Sequence, residues 1–170
     1  PLTTPEERRA FAEYAAKVPD NGKIVEIGTA EGSSAFSFAF ASKPSVKVYT
    51  IDPNLNEKFL RYRKEWNLED KLVFINKTSE DAAKEWEDEI DLLFIDGIHN
   101  YQGVMNDFNW FSFFVKPGGY IMFHDYYYYD SIKLAVDDLE ADGEIVKVEI
   151  VDSYFKGEKR TGLYIAVKTP

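Results

Sequence analysis

Strand-like and helix-like stretches alternate five times along this chain, and the alternation then gives way to two consecutive strands; no other feature restricts the fold as much. Short runs rich in β-branched residues fall at 23–28, 46–51, 72–75, 90–95 and 120–123. Each is followed by a stretch with helical spacing, at 32–42, 54–67, 79–86, 101–114 and 130–142. In the last of these, Ile132, Ala135, Val136 and Leu139 share one stripe. A further helix is predicted over 4–17, where Thr4 can cap, Pro5 fits the first turn, and Glu6 and Glu7 suit the positive helix start. Pro117-Gly118-Gly119 reads as a turn ahead of the fifth strand.

Parallel neighbours cannot be joined by a tight turn, so each pair needs a crossover, and a helix supplies it. Helices then cover both faces of the sheet. The strands at 144–151 and 162–168 have no helix between them, only a modest turn at 152–161, and so place an antiparallel strand in the sheet. The expectation is a single α/β domain over 1–170, a Rossmann-like, doubly wound sheet of seven strands, mostly parallel, with a C-terminal antiparallel hairpin strand. A dinucleotide-binding domain normally finishes on parallel strands, so the hairpin disfavours a dehydrogenase.

The first strand runs into Glu26-Ile27-Gly28-Thr29-Ala30-Glu31-Gly32-Ser33-Ser34, which opens a helix. Gly28 permits a sharp turn and close approach of backbone to a ligand, and Gly32 permits close contact at the helix start. The spacing is Gly-x-x-x-Gly, not Gly-x-Gly-x-x-Gly, and no phosphate-loop lysine follows. A tight βα turn would look the same, but Asp52 ends the second strand, where an acid accepts hydrogen bonds from ribose hydroxyls in doubly wound folds. A loop cap before Pro53 is the plainer reading of Asp52.

Composition narrows the chemistry. Without cysteine there is no disulfide, thiolate metal site or cysteine nucleophile. A formal net charge of −10 repels phosphate backbones and anionic lipid, so neither nucleic acid nor membrane is an expected partner; the tight cluster Arg61, Arg63 and Lys64 reads as a solvated helix face. No apolar run reaches the roughly 18 residues of a membrane helix, and the first residues hold no signal-peptide core, so a cytoplasmic location is expected.

Ligands in open α/β sheets bind beyond the carboxyl ends of the strands. Asp96 ends the fourth strand and Asp125 the fifth, and the chain's two histidines, His99 and His124, fall in the same two places. Burying such groups unpaired would cost several kcal/mol. One reading is a hydrogen-bonded cluster without chemistry. In the other, Asp96 and Asp125 hold a hard divalent cation such as Mg²⁺, and His99 takes a proton from a hydroxyl. Tyr126–129 follow at the same edge and either stack on a substrate or pack the next helix onto the sheet.

Glu26-x-Gly28-x-x-x-Gly32 and Asp52 resemble the first motif and the ribose-binding acid of class I S-adenosylmethionine-dependent methyltransferases. A second, more specific block is Phe94-Ile95-Asp96-Gly97-Ile98-His99-Asn100-Tyr101, then Asp107, Lys116-Pro117-Gly118-Gly119 and Phe123-His124-Asp125-Tyr126. It is similar to the small-molecule O-methyltransferase branch that includes macrocin-type enzymes, distantly akin to catechol O-methyltransferase and cephalosporin hydroxylase. The resemblance implies S-adenosylmethionine as cofactor, with Glu26 near its methionyl amino group and Ser79 and Glu80 near adenine. It places Gly28, Thr29, Gly32, Ser33 and Asp96 along the cofactor as well, although Ser33 and Ser34 read equally as a helix N-cap. It also implies metal-binding acids at Asp96 and Asp125 and a base at His99.

The chain departs from the pattern at one ligand. Relatives offer a third oxygen beside Asp125, whereas here His124 precedes it and Tyr126 follows. A nitrogen ligand at His124 shifts preference toward Mn²⁺, Fe²⁺ or Zn²⁺; a His124 turned away would leave only two carboxylates. The expected acceptor is a hydroxyl on a small polar metabolite or sugar, in a site left open or completed by a second subunit in a homo-oligomer. The alternatives are a nicotinamide-dependent oxidoreductase, a non-catalytic adenosyl-cofactor module and, more remotely, an iron hydroxylase.

Overall fold

The computed structural model describes residues 3–155 and 158–170, with the side chains of 155 and 158–160 left undescribed. Its sheet has seven strands in the order β3-β2-β1-β4-β5-β7-β6. These are β1 (Lys23–Ile27), β2 (Lys47–Ile51), β3 (Leu72–Ile75), β4 (Ile90–Ile95), β5 (Val115–Phe123), β6 (Ile145–Phe155) and β7 (Glu158–Lys168). β1 to β5 pair in parallel, and β7 runs antiparallel to both β5 and β6, as the terminal hairpin requires. The helices are α1 (Pro5–Lys17), α2 (Ser33–Ala41), α3 (Glu57–Glu65), α4 (Ser79–Ala83), α5 (Tyr101–Phe111) and α6 (Asp130–Ala141). None of them is long and apolar enough to cross a membrane.

Apolar clusters fill both faces of the sheet. Val25, Leu93, Phe108, Phe123 and Val136 belong to one; Phe11, Ile24, Phe38, Phe94 and Ile165 belong to the other. β4, buried along its whole length, separates them. Alternate residues of a central strand point to opposite faces, so Leu93 serves one cluster and Phe94 the other.

α1 begins with a capping box: the Thr4 hydroxyl accepts the Glu7 N–H and the Glu7 carboxylate accepts the Thr4 N–H. Its inner face places Phe11 with ring centroids 5.1 Å from both Phe38 and Phe94.

Several boundaries differ from those predicted. α3 starts later because Asn56 caps it, its side chain accepting the N–H groups of Lys58 and Phe59, and it stops short of Asn67, which turns into the left-handed region at φ 53. α4 ends at Ala83, and α5 gives way to a 3₁₀ turn over Ser112–Phe114. The turn at Pro117-Gly118-Gly119 lies inside β5, as an excursion between the pairs Ile90↔Val115 and Leu92↔Tyr120. The largest correction concerns the hairpin. Asp152↔Gly162 and Ser153↔Thr161 are ladder pairs, so most of the expected turn at 152–161 is strand; residues 156–157 of it lie outside the described residues.

Candidate active site

β1 is flanked by β2 on one side and β4 on the other, so the chain leaves β1's carboxyl end at the point where the winding of the sheet reverses. Gly28 sits there at φ 97, its N–H bonded to the Ile51 carbonyl. A Cβ on Gly28 would lie 2.1 Å from the Asp96 carbonyl oxygen, so no other residue fits this crossing. The loop that follows bends over a cavity of about 630 Å³. Ile27, Ile51 and Pro53 give it apolar wall, and Asp52, Ser79, Glu80, Asp96, His99, His124 and Asp125 also line it.

The structure therefore brings Gly28, Asp52, Ser79, Glu80, Asp96, His99, His124 and Asp125 into one cavity. Glu26, Thr29, Gly32 and Ser33 do not line it. Glu26 is fully buried beneath the loop, and its carboxyl accepts the hydroxyls of Ser34 and Thr50. Burial pushes Glu26 up to about 8, against the lowering effect of those two hydroxyls. It buttresses the loop through those two bonds and is not among the residues that line the cavity. Thr29 joins the same network through the Thr50 hydroxyl at 2.6 Å, and Ser33 bonds to Thr3 at 2.6 Å. Neither serine caps α2, whose N-cap is Gly32 with no side-chain bond.

Asp52 caps its own loop and also ties down the glycine loop. One oxygen accepts the Asn54 N–H at 2.8 Å, which is the loop cap, and the other accepts the N–H groups of Thr29 and Ala30 at 3.1 and 3.3 Å. Its carboxylate thus clamps the glycine loop to the end of β2 while facing the cavity.

The four ionisable groups at the ends of β4 and β5 touch one another. One oxygen of Asp96 lies 3.2 Å from His99 Nε2 and 3.1 Å from His124 Nδ1. The Asp125 oxygens stand 3.8 Å from His99 Nε2 and 3.6 Å from His124 Nδ1. Asp125 is held in the left-handed region at φ 56, a strained conformation for this residue that aims its carboxylate back at the cluster. Burial alone would raise the Asp96 carboxyl, but the two imidazoles outweigh it and hold it below the usual range. The Asp96 contact raises His99. Burial opposes charge on His124, yet the surrounding carboxylates, Asp96 foremost, raise it well above the ordinary imidazole range.

The third of those carboxylates was not anticipated at the site. Glu7 of α1 is wholly buried and lies 3.4 Å from His124 Nε2 through Oε2, while Oε1 accepts the hydroxyls of Ser153 and Thr161 at 2.8 and 2.9 Å. Burial raises its carboxyl, but His124, the Thr4 N–H and Ser153 together bring it down to about 2. The capping spacing of Thr4 and Glu7 is visible in the sequence; the contact with His124 is not. α5 also adds a wall with a legible signal: Gly103, Asn106, Asp107 and Trp110 recur at helical spacing and all line the cavity.

The four tyrosines pack against neighbours or stand at the surface, and none of them lines the cavity. Tyr126 is buried against Tyr164 with its hydroxyl on Asp137 at 2.5 Å, and Tyr127 lies over Gly162. Tyr128 is exposed, and Tyr129 packs on the His99 ring at 5.0 Å.

Asp96, His124 and Asp125 each offer a ligand atom, and these atoms lie within 4.8 Å of one another. Two carboxylate oxygens and an imidazole nitrogen fit a divalent transition metal better than Mg²⁺.

Comparison with known proteins bears on the fold and the family. Residues 25–126 match the family described as methyltransferase domain. The uncharacterized protein R132 of Acanthamoeba polyphaga mimivirus is 36% identical over 136 residues; the match takes in 72% of this chain and 61% of that protein. The chain thus spans less than two thirds of that relative's length. Among solved structures, the O-methyltransferase of Bacillus cereus in complex with S-adenosylhomocysteine superposes with a TM-score of 0.79 at 16% identity, covering 98% of this chain and 82% of that one. The O-methyltransferase TomG of Streptomyces achromogenes, in complex with S-adenosylmethionine, gives 0.79 at 16% identity over 99% and 82%. An rRNA methylase of Streptococcus thermophilus gives 0.73 at 17% identity over 94% of each chain. At these identities the structures establish the shared fold, and the sequence match to residues 25–126 establishes kinship. With its glycine loop, the Asp52 carboxylate that clamps it and its acidic cluster set on that fold, this chain belongs to the methyltransferase family.

Proposed function

We propose that the protein uses S-adenosylmethionine to methylate a hydroxyl of a small polar acceptor, such as a sugar, with a divalent cation at Asp96, Asp125 and His124 assisting. The observation that carries this reading is a single cavity of nucleoside-cofactor size that contains both Asp52 and the Asp96–His99–Asp125 cluster. Asp52 would hold the ribose, and Ser79 and Glu80 would flank the adenine. Bound there, S-adenosylmethionine supplies an electrophilic methyl whose sulfur leaves as a neutral thioether.

Asp96 orients His99 through Nε2, which leaves Nδ1 to take the acceptor's hydroxyl proton as the oxygen–carbon bond forms. A cation on the carboxylates would supply Lewis acidity toward that hydroxyl. Support for S-adenosylmethionine comes from the complexes of the two O-methyltransferases with this fold. The resemblance to macrocin-type enzymes supports an oxygen acceptor. The rRNA methylase likeness suggests a nucleic-acid acceptor instead, but a net charge of −10 opposes a polyanion.

Calorimetric titration of S-adenosylhomocysteine into the wild type and Asp52→Ala, with and without divalent cation, tests the reading. Micromolar binding by the wild type, weakened about tenfold or more in the variant (about 1.4 kcal/mol), is expected. Binding of NAD(H) in place of S-adenosylhomocysteine would overturn it.

A further inference from the structure

Glu7 lies far outside the two sequence blocks that mark the family, and the expected methyl transfer leaves it without a task. It is nonetheless wholly buried, and its Oε2 is aimed at the ring nitrogen of His124 that points away from the cluster. That nitrogen, Nε2, is buried and has no partner in hydrogen-bonding geometry among the described residues; Glu7 Oε2 stands 3.4 Å from it. The opposite nitrogen, Nδ1, faces Asp96 at 3.1 Å and Asp125 at 3.6 Å.

We infer that Glu7 is a positioning residue for a metal centre, an outer carboxylate that fixes the His124 ring with Nε2–H toward α1 and Nδ1 toward a cation held by Asp96 and Asp125. The inference rests on the metal-assisted reading above and adds to it a residue and a ligand atom. A histidine that ligates a metal through one nitrogen almost always donates the other N–H to a carboxylate or carbonyl, which fixes its tautomer and orientation. Glu7 is the carboxylate that stands on that side, 3.4 Å from Nε2 and outside hydrogen-bonding geometry, and its own position is over-determined. The Thr4 N–H holds Oε2 at 2.8 Å, and the hydroxyls of Ser153 and Thr161 hold Oε1. A carboxylate that served only to cap α1 would need neither the hairpin hydroxyls nor burial against an imidazole; exposed capping residues suffice for that task.

The site is therefore described as a Co²⁺-, Mn²⁺- or Zn²⁺-type centre with one nitrogen and two oxygen ligands from the protein. Co²⁺ is the probe, because its visible absorption reports the ligand set directly. Titration of Co²⁺ into wild type, Glu7→Gln and Thr4→Ala, read by absorbance and calorimetry, separates positioning from capping. Glu7→Gln should bind Co²⁺ about tenfold or more weakly and with an altered visible band. Thr4→Ala should lose thermal stability while keeping the wild-type affinity and band. A Glu7→Gln protein with wild-type affinity and spectrum would overturn the inference, leaving Glu7 as a cap and hairpin tie.

Wild-type protein that binds no Co²⁺ would overturn it together with the metal assistance, while S-adenosylhomocysteine titration of the same sample reports separately on the cofactor reading. If Glu7→Gln does not fold, the wild type still decides. The chain has two histidines, so ¹⁵N-histidine spectra with Zn²⁺ resolve each ring. Zn²⁺ at His124 Nδ1 with a retained Nε2–H supports the assignment, and Zn²⁺ at Nε2 overturns it.

Discussion

His99 and Asp107 show how burial sets the task of a single side chain. His99 is partly exposed in the cavity, oriented by Asp96 and backed by the Tyr129 ring. Its imidazole touches the transferring proton in the proposed reaction and, of the groups expected to hold the cofactor, it contacts Asp96 and not Asp52, Ser79 or Glu80. His99→Asn should therefore lower kcat by about a hundredfold or more and leave S-adenosylhomocysteine affinity unchanged, as steady-state kinetics and calorimetry on one preparation would establish. Unchanged turnover would remove His99 from the mechanism. Asp107 is the opposite case, a buried carboxyl in the α5 wall whose one hydrogen-bond partner among the described residues is the Ser79 hydroxyl at 2.6 Å. Burial pushes it up to about 6 from an ordinary 3.8. Between those pH values the folded state binds more protons than the unfolded chain, so stability falls as pH rises through the window and the loss is complete above it. Asp107→Asn keeps an oxygen for Ser79 and removes the charge. Thermal unfolding should show it more stable than wild type, by on the order of 2 kcal/mol, at about pH 8 and nearly unchanged in acid.

At the scale of elements, α1 does two things with adjoining turns of one helix. Phe11 anchors it in the core against Phe38 and Phe94, and Glu7, one turn earlier, reaches His124. Phe11→Ala should cost about 3–5 kcal/mol, measured by denaturant unfolding, because three rings lose their shared contact. It should also weaken Co²⁺ binding if the helix loosens, whereas β2 and Asp52 stay in place. The elements also show what a sequence can and cannot disclose. The alternation from β1 to α6 was legible because parallel pairing leaves few other ways to connect strands. The hairpin's length was not. Asp152, Ser153, Thr161 and Gly162 have the composition of a turn, yet Ser153 is fully buried and Ser153 and Thr161 turn their hydroxyls onto Glu7. Polar residues can extend a strand when something polar waits beneath them, and the sequence around them does not say what waits.

For the whole molecule, the same limit applies to the site. Gly28, Asp52, Asp96, His99 and Asp125 were legible because they follow strands, and the fold delivers strand ends to one edge. Glu26 was legible as a motif acid, but its place under the loop depends on Ser34 and Thr50 closing over it. Glu7 was legible only as a helix-capping acid, because its other partners stand at 124, 153 and 161, on elements that no local pattern joins to α1. This clasp has a consequence for biosynthesis. A chain growing from its amino end makes Glu7 early and the two hydroxyls that hold it about 150 residues later, at some 5–20 residues per second. Until residue 161 has left the ribosome, the acid lacks the Thr161 hydroxyl and the ladder pair Ser153↔Thr161 cannot form. The seat of Glu7 beside His124 is thus completed only after the four groups at the ends of β4 and β5 have all been made. Fragments released prematurely would carry the family's recognisable motifs while lacking the part that sets them in order.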